Sequence, residues 1–367
     1  MSGVRHLYVH LPFCAHRCGY CDFVTVTGRG GQHRAYVDAL LGELELERHH
    51  LAPELETVFL GGGTPTFTAL PELVRLLEAL PRAAEVTVEA NPETVTPELA
   101  AALRSAGVTR VSVGAQTFRP ELLRVLERVA GPDDVRRAVH HLRDAGFDNV
   151  SLDLVYGIPG QSASDLAADL GDALALAPEH LSCYELEAKP GTRFTRAWGE
   201  ELRRQADAME DYFERVVATL TGAGYRWYET ANFCRTNGGR DLRARHNVGY
   251  WLGHDYLGIG IGAVSTIENR RRRNAPQLGR YLASLAAGRA PECEVEELDD
   301  DVRARERVML GLRLDEPLPL AGLRHALDPT GVARVEQLGL AERTPETLSL
   351  TERGRFLGGA VTAEVLA

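Results

Sequence analysis

Apolar residues along this 367-residue chain fall into two alternating rhythms. Short runs rich in Val, Leu and aromatic residues read as strands: HLYVHL from His6, TVFLG from Thr57, EVTVEA from Glu85, RVSVGA from Arg110, NVSLDLVYG from Asn149 and HLSCYEL from His180. Between them lie longer stretches such as PELVRLLEAL and TPELAAALRSAG. These carry apolar positions at helical spacing, open with Thr or Pro, and end at glycines such as Gly107 and Gly146. Strand and helix in alternation predict βα units, a parallel sheet and a helical cover. Six or seven such strands are too few for a closed eight-stranded barrel. The expected fold class is therefore α/β, a partial (β/α)6-type barrel whose open side admits a large ligand.

The rhythm stops near Phe233. RTNGGRDLRARHNVGYW reads as a polar loop, followed by the glycine-rich DYLGIGIGAVS and the basic NRRRRN. From Asp299 come helical runs, a TLSLTERG strand and turn, and a last helix, which together suggest a small winged-helix-like module. The expected division is a barrel over 1–233, a connecting α+β region over 234–298 and a C-terminal winged-helix-like domain over 299–367.

Composition narrows the partners. The 44% hydrophobic content suits a packed interior, and a formal charge of −11 gives no overall attraction to nucleic acid phosphates or an anionic membrane. No apolar stretch reaches the length of a membrane span. The start MSGVRHLYVHLPF, interrupted by two His and a Pro, lacks a secretion signal's pattern. A cytoplasmic protein is expected, in which six cysteines stay reduced and, where crowded, hold a metal.

Three of them are crowded. Cys14, Cys18 and Cys21 form a C-x3-C-x2-C run just after the first strand. Zinc prefers four closed ligands, and Cys183, Cys234 and Cys293 are scattered singly, so zinc would have to recruit His10 or His16. An iron–sulfur cubane held by three thiolates leaves one iron open for a ligand. Three reduced thiols without metal are the remaining reading. The other unusual residues, Gly61 to Gly63, Glu89-Ala90-Asn91-Pro92, Gln116 and Asp153, also follow strand ends, so one rim of the barrel gathers them.

The cysteine run with Tyr20 before its third cysteine, joined by FLGGGTPT, resembles the radical S-adenosylmethionine (SAM) superfamily. The resemblance implies a [4Fe-4S] cluster on Cys14, Cys18 and Cys21. Its fourth iron would chelate SAM, whose reductive cleavage yields a 5′-deoxyadenosyl radical. It also implies SAM contacts from Gly62, Gly63, Thr64, Glu89, Gln116, Arg128 and Asp153, with Tyr8 beside the cluster. A purely structural role for the acids, sealing the rim against Arg110 or Arg128, is the alternative.

Over most of its length, through YVHLPFC, VEANPET, VSVGAQTF, LDLVYGIPGQ, HNVGYW, DYLGIGIGA and ERVMLGLRL, the chain is similar to the oxygen-independent coproporphyrinogen III oxidase family, and within it to the HemW-like haem chaperone branch. Phe23 stands where the oxidase motif has its fourth cysteine, and the oxidase's long N-terminal extension has no counterpart here. The branch implies haem as cargo, haem-accepting proteins as partners and an electron donor for the cluster. It leaves a homodimer and peripheral membrane contact open. His246 is the expected haem ligand, with Tyr250 and Trp251 as flat faces and Cys234 and His254 as rivals. Arg270 to Arg273 would either receive the propionates or form a solvated hairpin. The competing activities are the oxidase reaction and radical nucleic acid modification. Against the second, the C-terminal segment mixes acids with arginines and shows no basic recognition helix.

Overall fold

The computed structural model describes residues 3–187, 189, 193–236 and 239–367. Six parallel strands lie side by side in chain order: β1 (His6–Leu11), β2 (Leu55–Gly62), β3 (Ala83–Ala90), β4 (Arg110–Gln116), β5 (Val150–Tyr156) and β6 (His180–Glu185). Beyond β6 the sheet continues antiparallel with β8 (Asn232–Arg235) and then β7 (Tyr225–Glu229). Beyond β1 it gains a short parallel strand, β9 (Leu257–Ile259). With β7 and β9 as edges, the sheet is an open, partial barrel.

Helices α1 (His33–Glu47), α2 (Leu70–Ala79), α3 (Pro97–Ser105), α4 (Pro120–Val125), α5 (Pro132–Asp144), α6 (Ala163–Ala175), α7 (Arg193–Gln205) and α8 (Met209–Gly222) fill the crossovers up to β7. Their starts are capped as the residues dictate: Thr96 accepts from Leu99 N–H ahead of α3, and Ser162 with Asp165 closes a capping box ahead of α6.

The strands are buried on both faces, but the faces differ chemically. Leu7, Val9, Val58, Leu60, Val88, Val111, Val113, Leu152, Leu154 and Leu181 face the helices and form the main core. The other face lines the interior and is polar, with rows set by the register. His6 lies opposite Thr57, and Thr57 opposite Glu85. Tyr8, Phe59, Thr87 and Arg110 make the next row, and Asp153 lies between Gly114 and Ser182.

The stretch read as a polar loop contains a helix, α9 (Arg245–Trp251); Asn237 and Gly238 of that stretch lie outside the described residues. The correction has a physical reason. α9 covers the amino-terminal end of a polar interior, and its buried residues are His246, Val248 and Gly249 rather than an aliphatic stripe, so no helical apolar period marks it.

The arginine run is also resolved. Arg270–Asn274 is strand β11, flanked in an antiparallel sheet by β10 (Val264–Ile267) and β12 (Cys293–Glu297). Arg270 pairs with Glu297 (2.9 Å), Arg271 with Glu306 (2.6 Å) and Arg272 with Glu47 (2.7 Å). Three of the four guanidiniums are thus neutralised within the chain, and the run is not a ready propionate acceptor.

After α10 (Leu278–Ala286), the last part comprises α11 (Asp300–Gly311), α12 (Pro329–Gln337), α13 (Glu352–Phe356) and α14 (Gly358–Val365). They pack with a small antiparallel sheet ordered β13 (Leu318–Pro319), β15 (Thr347–Leu350), β14 (Ala341–Arg343). This part has its own core, including Val308, Leu318, Val332, Leu348 and Val365.

Candidate cofactor site

Cys14, Cys18 and Cys21 sit in the loop leaving β1, each half-buried and free of disulfide. Backbone bonds hold the loop on the barrel rim: Cys14 N–H to Val26 C=O (3.0 Å) and Val26 N–H to Pro12 C=O (2.7 Å). The thiols line a cavity of about 430 Å³ that also takes in Tyr20, Gly62, Gly63, Thr64, Glu89, Gln116, Arg128 and Asp153. The rim expected from sequence is therefore assembled from the carboxyl ends of β1 to β5 and the turn after α4.

The glycines are required by close approach. A Cβ on Gly62, whose φ is +110°, would lie 2.4 Å from the His10 imidazole, and one on Gly63 would lie 2.5 Å from the Pro12 backbone. FLGGGTPT can thus fold flat against the end of β1 and present bare backbone to the cavity.

Around the thiols runs a hydrogen-bond network. Thr64 Oγ1 is 3.4 Å from Cys14 Sγ and accepts from Asn91 Nδ2 (3.1 Å). Arg128 donates to Asn91 Oδ1 (2.9 Å) and Gly114 C=O (3.0 Å), with Nη1 3.8 Å from Cys18 Sγ. Its Nε is buried without a partner, a donor placed for a ligand's oxygen. Asn91 had been seen on the rim without a role, and the VEANPET motif was its only signal.

Electrostatics favour a cationic ligand next to the thiols. Burial, then the Asp153 carboxylate, pushes Glu89 up to about 7, opposed by Gly62 N–H (3.2 Å) and Arg110. Asp153 is raised by burial, opposed by hydrogen bonds from Ser182 and Ser112 and by Arg110. Neither acid forms an ion pair with Arg128, so both stay available to an ammonium group.

The donors fit an iron–sulfur cluster better than zinc. His10 uses both ring nitrogens, on Tyr8 Oη (3.1 Å) and Val24 C=O (2.8 Å), and His16 faces Glu127 (3.4 Å). His10 is therefore not free to close a zinc site, and exposed His16 is turned to Glu127. A cluster held by the three thiolates would supply an electron-transfer centre with one iron left for a further ligand.

Tyr8 does not line the cysteine cavity. Strand alternation turns it inward at mid-strand, and it lines a deeper chamber of about 220 Å³ with Phe59, Arg110, His246 and Tyr250. The two spaces share Phe23, Gly62, Glu89, Ser112, Asp153 and Tyr184 as lining.

His246 lies at the floor of this chamber. Its Nδ1 bonds Thr57 Oγ1 (2.7 Å), its Nε2 bonds Tyr250 Oη (3.0 Å), and its ring stacks on Phe59 at 5.0 Å. Burial, then His6, holds its pKa down to about 3, so it is neutral. Of its rivals, Cys234 is buried on β8, whereas His254 is exposed in the turn after α9. On the outer side of α9, Tyr250, Trp251 and Tyr256 line a cavity of about 530 Å³ with Arg271, Arg303 and Arg307. Arg271 and Arg303 have acidic partners in Glu306 and Asp255. Arg307 donates to Trp251 C=O (3.2 Å) and forms no ion pair among the described residues. Arg307 lies in the ERVMLGLRL stretch, but no role for it was legible there.

Comparison with known proteins agrees with this architecture. The radical SAM superfamily matches residues 8–173 and the HemN C-terminal domain matches residues 298–357. "Heme chaperone HemW" of Mycobacterium tuberculosis is 39% identical over 372 residues, covering 98% of this chain and 94% of its own. The protein of that name from Bacillus subtilis is 32% identical over 382 residues, covering 98% of each chain. The solved structure of coproporphyrinogen III oxidase (HemN) from Escherichia coli superposes with a TM-score of 0.82 at 24% identity, over 99% of this chain and 90% of that one. That likeness is one of fold.

Proposed function

Because the chain belongs to the heme chaperone HemW family of the radical SAM superfamily, we propose that it binds haem and passes it to acceptor proteins, with a [4Fe-4S] cluster and SAM in the cysteine cavity. Near full-length likeness to HemW relatives carries this reading. The exposed Phe23 at the mouth of the cysteine cavity supports it over the oxidase reaction, since that position is cysteine in the oxidase motif. Cys14, Cys18 and Cys21 would each hold an iron, and Glu89, Asp153 and Arg128 would receive the amino and carboxylate ends of SAM. No helix among the described residues is long and apolar enough to cross a membrane, and we place the protein in the cytoplasm.

For haem, the cavity beside α9 offers what a porphyrin needs: the Trp251 and Tyr256 rings as apolar faces, and Arg307 as an unpaired guanidinium for a propionate. His246 does not line this cavity, but its Nε2 bonds Tyr250 Oη, which does (3.0 Å), and as an iron ligand it would exchange that bond for the metal.

The test is an anaerobic titration of ferric haem into cluster-loaded protein, with SAM and coproporphyrinogen III offered in parallel. The expected result is saturable haem binding without porphyrinogen turnover. His246→Ala should shift the Soret band and Arg307→Ala should weaken binding about tenfold to a hundredfold, the value of a charge-assisted hydrogen bond, both with cluster absorbance intact. Absence of haem binding by protein with a full cluster would overturn the proposal, as would protoporphyrinogen formation.

A further inference from the structure

At the amino-terminal end of the barrel, remote from the cysteines, three metal-binding side chains converge from distant parts of the chain. His6 opens β1, Glu56 lies near the start of β2, and His254 follows α9. A nitrogen from each histidine and a carboxylate oxygen all lie within 4.8 Å of one another, and this is the one such group of three or more among the described residues. His6 Nε2 is 3.1 Å from His254 Nδ1 and 3.8 Å from Glu56 Oε2. Ligands about 2.0–2.1 Å from a tetrahedral zinc stand about 3.3–3.4 Å apart, so the two observed separations straddle the required edge.

His6 and Glu56 are each held by a second partner on their outer atom, while His6 Nε2 and His254 Nδ1 share one hydrogen bond, which a metal between them would replace. His6 Nδ1 bonds Thr57 Oγ1 (2.9 Å), which fixes the ring and points Nε2 at the site. Arg5 binds Glu56 through Oε1 (2.8 Å), leaving Oε2 toward His6. The His254 ring stacks on His6 at 5.3 Å and 26°. The group borders an open cavity of about 890 Å³, which leaves room for water as a fourth ligand.

We propose that His6, Glu56 and His254 form a binding site for a divalent transition metal of the zinc class, distinct from the cysteine site and independent of the haem reading. Two imidazoles and one carboxylate are a borderline donor set that suits zinc and disfavours calcium or magnesium. A metal there would tie the starts of β1 and β2 to the turn after α9, and so fix the helix that carries His246, Tyr250 and Trp251.

The experiment is equilibrium dialysis of the anaerobically prepared, cluster-loaded chain against micromolar zinc chloride at neutral pH, with bound zinc and iron measured together and the melting temperature recorded. Wild type should retain a zinc ion that His254→Ala loses, with equal iron in both, and zinc should raise the melting temperature of wild type only. Glu56→Gln should weaken zinc binding about tenfold to a hundredfold. His254 is exposed, so its variant folds even where a change at buried His6 does not. Equal zinc in wild type and His254→Ala at equal iron would overturn the site, and so would a wild type that retains none.

Discussion

At the residue scale the site is governed by where charge is buried. Glu89 is half-buried in the cavity wall, and desolvation, with Asp153 nearby, raises its carboxyl from 4.5 to about 7. An ammonium group pairs with the carboxylate, not with the neutral acid. If Glu89 receives the SAM ammonium as proposed, a proton must leave below about pH 7 before SAM can bind, and affinity should fall by up to about tenfold per pH unit; above it the dependence flattens. The linkage also acts on the ligand-free fold. The folded chain keeps this proton while the unfolded one loses it above 4.5, so the group's contribution to stability is full at low pH and is lost as pH rises through about 7. Calorimetry of SAM binding to cluster-loaded protein between pH 6 and 8, in buffers of different ionisation heat, should show proton release near the lower end. Glu89→Gln should bind more weakly and without the slope; a wild-type affinity flat across this range would place Glu89 outside the ammonium site.

The cysteines, the glycine triplet and Glu89 were legible because close spacing and strand-end position are properties of the sequence itself. The roles of Asn91, Ser112 and Arg307 were not, though all three lie in quoted motifs, since each gains its role from a partner on another element: Thr64 and Arg128, Asp153, and the α9 carbonyl of Trp251.

At the element scale, the same distinction explains α9. Strands β1 to β6 were readable because their helix-facing residues are aliphatic. α9 reads as loop because it docks on polar partners: its first turn lies against Glu85, with His246 N–H 3.4 Å from Oε1, and its buried ring against Thr57. Thr57 is fully buried, and its hydroxyl serves His6 Nδ1 and His246 Nδ1 together. Thr57→Val keeps the shape and removes both bonds, leaving two ring nitrogens unpaired. Urea denaturation should show a loss of about 2–4 kcal/mol, the cost of two buried unsatisfied groups. Iron content should be unchanged, because Thr57 and the thiols lie at opposite ends of the barrel. A loss below about 0.5 kcal/mol would mean that α9 is held by its apolar contacts, Val248 with Tyr228 and Leu314, instead.

At the scale of the whole molecule, the barrel core and the C-terminal core meet at a junction where the apolar packing of Leu314 on Tyr228 and Val248 is joined by charge and aromatic contact. Arg226 on β7 forks onto Asp315 (2.7 and 2.8 Å), and Arg313 reaches the buried Glu229 (2.7 Å). Arg355, from α13, lies 3.6 Å over the Trp227 ring and donates to the Trp227 carbonyl (2.8 Å), while Phe356 packs on Trp227 and Phe213. Burial lowers the Arg355 pKa to about 10, so the guanidinium remains charged at neutral pH, at a desolvation cost that the Trp227 contacts offset. Arg355→Ala removes both the cation–π contact and the hydrogen bond, a loss of about 2–3 kcal/mol confined to the junction. If this junction couples the cores, scanning calorimetry should resolve the variant into two transitions where wild type gives one, the C-terminal part melting first. Cysteine-site iron and SAM binding should match wild type below that first transition, because no residue of the C-terminal core lines the cysteine cavity. A single transition shifted by less than a degree would instead assign the coupling to the Arg226–Asp315 and Arg313–Glu229 pairs, and Asp315→Asn would be the variant that separates them.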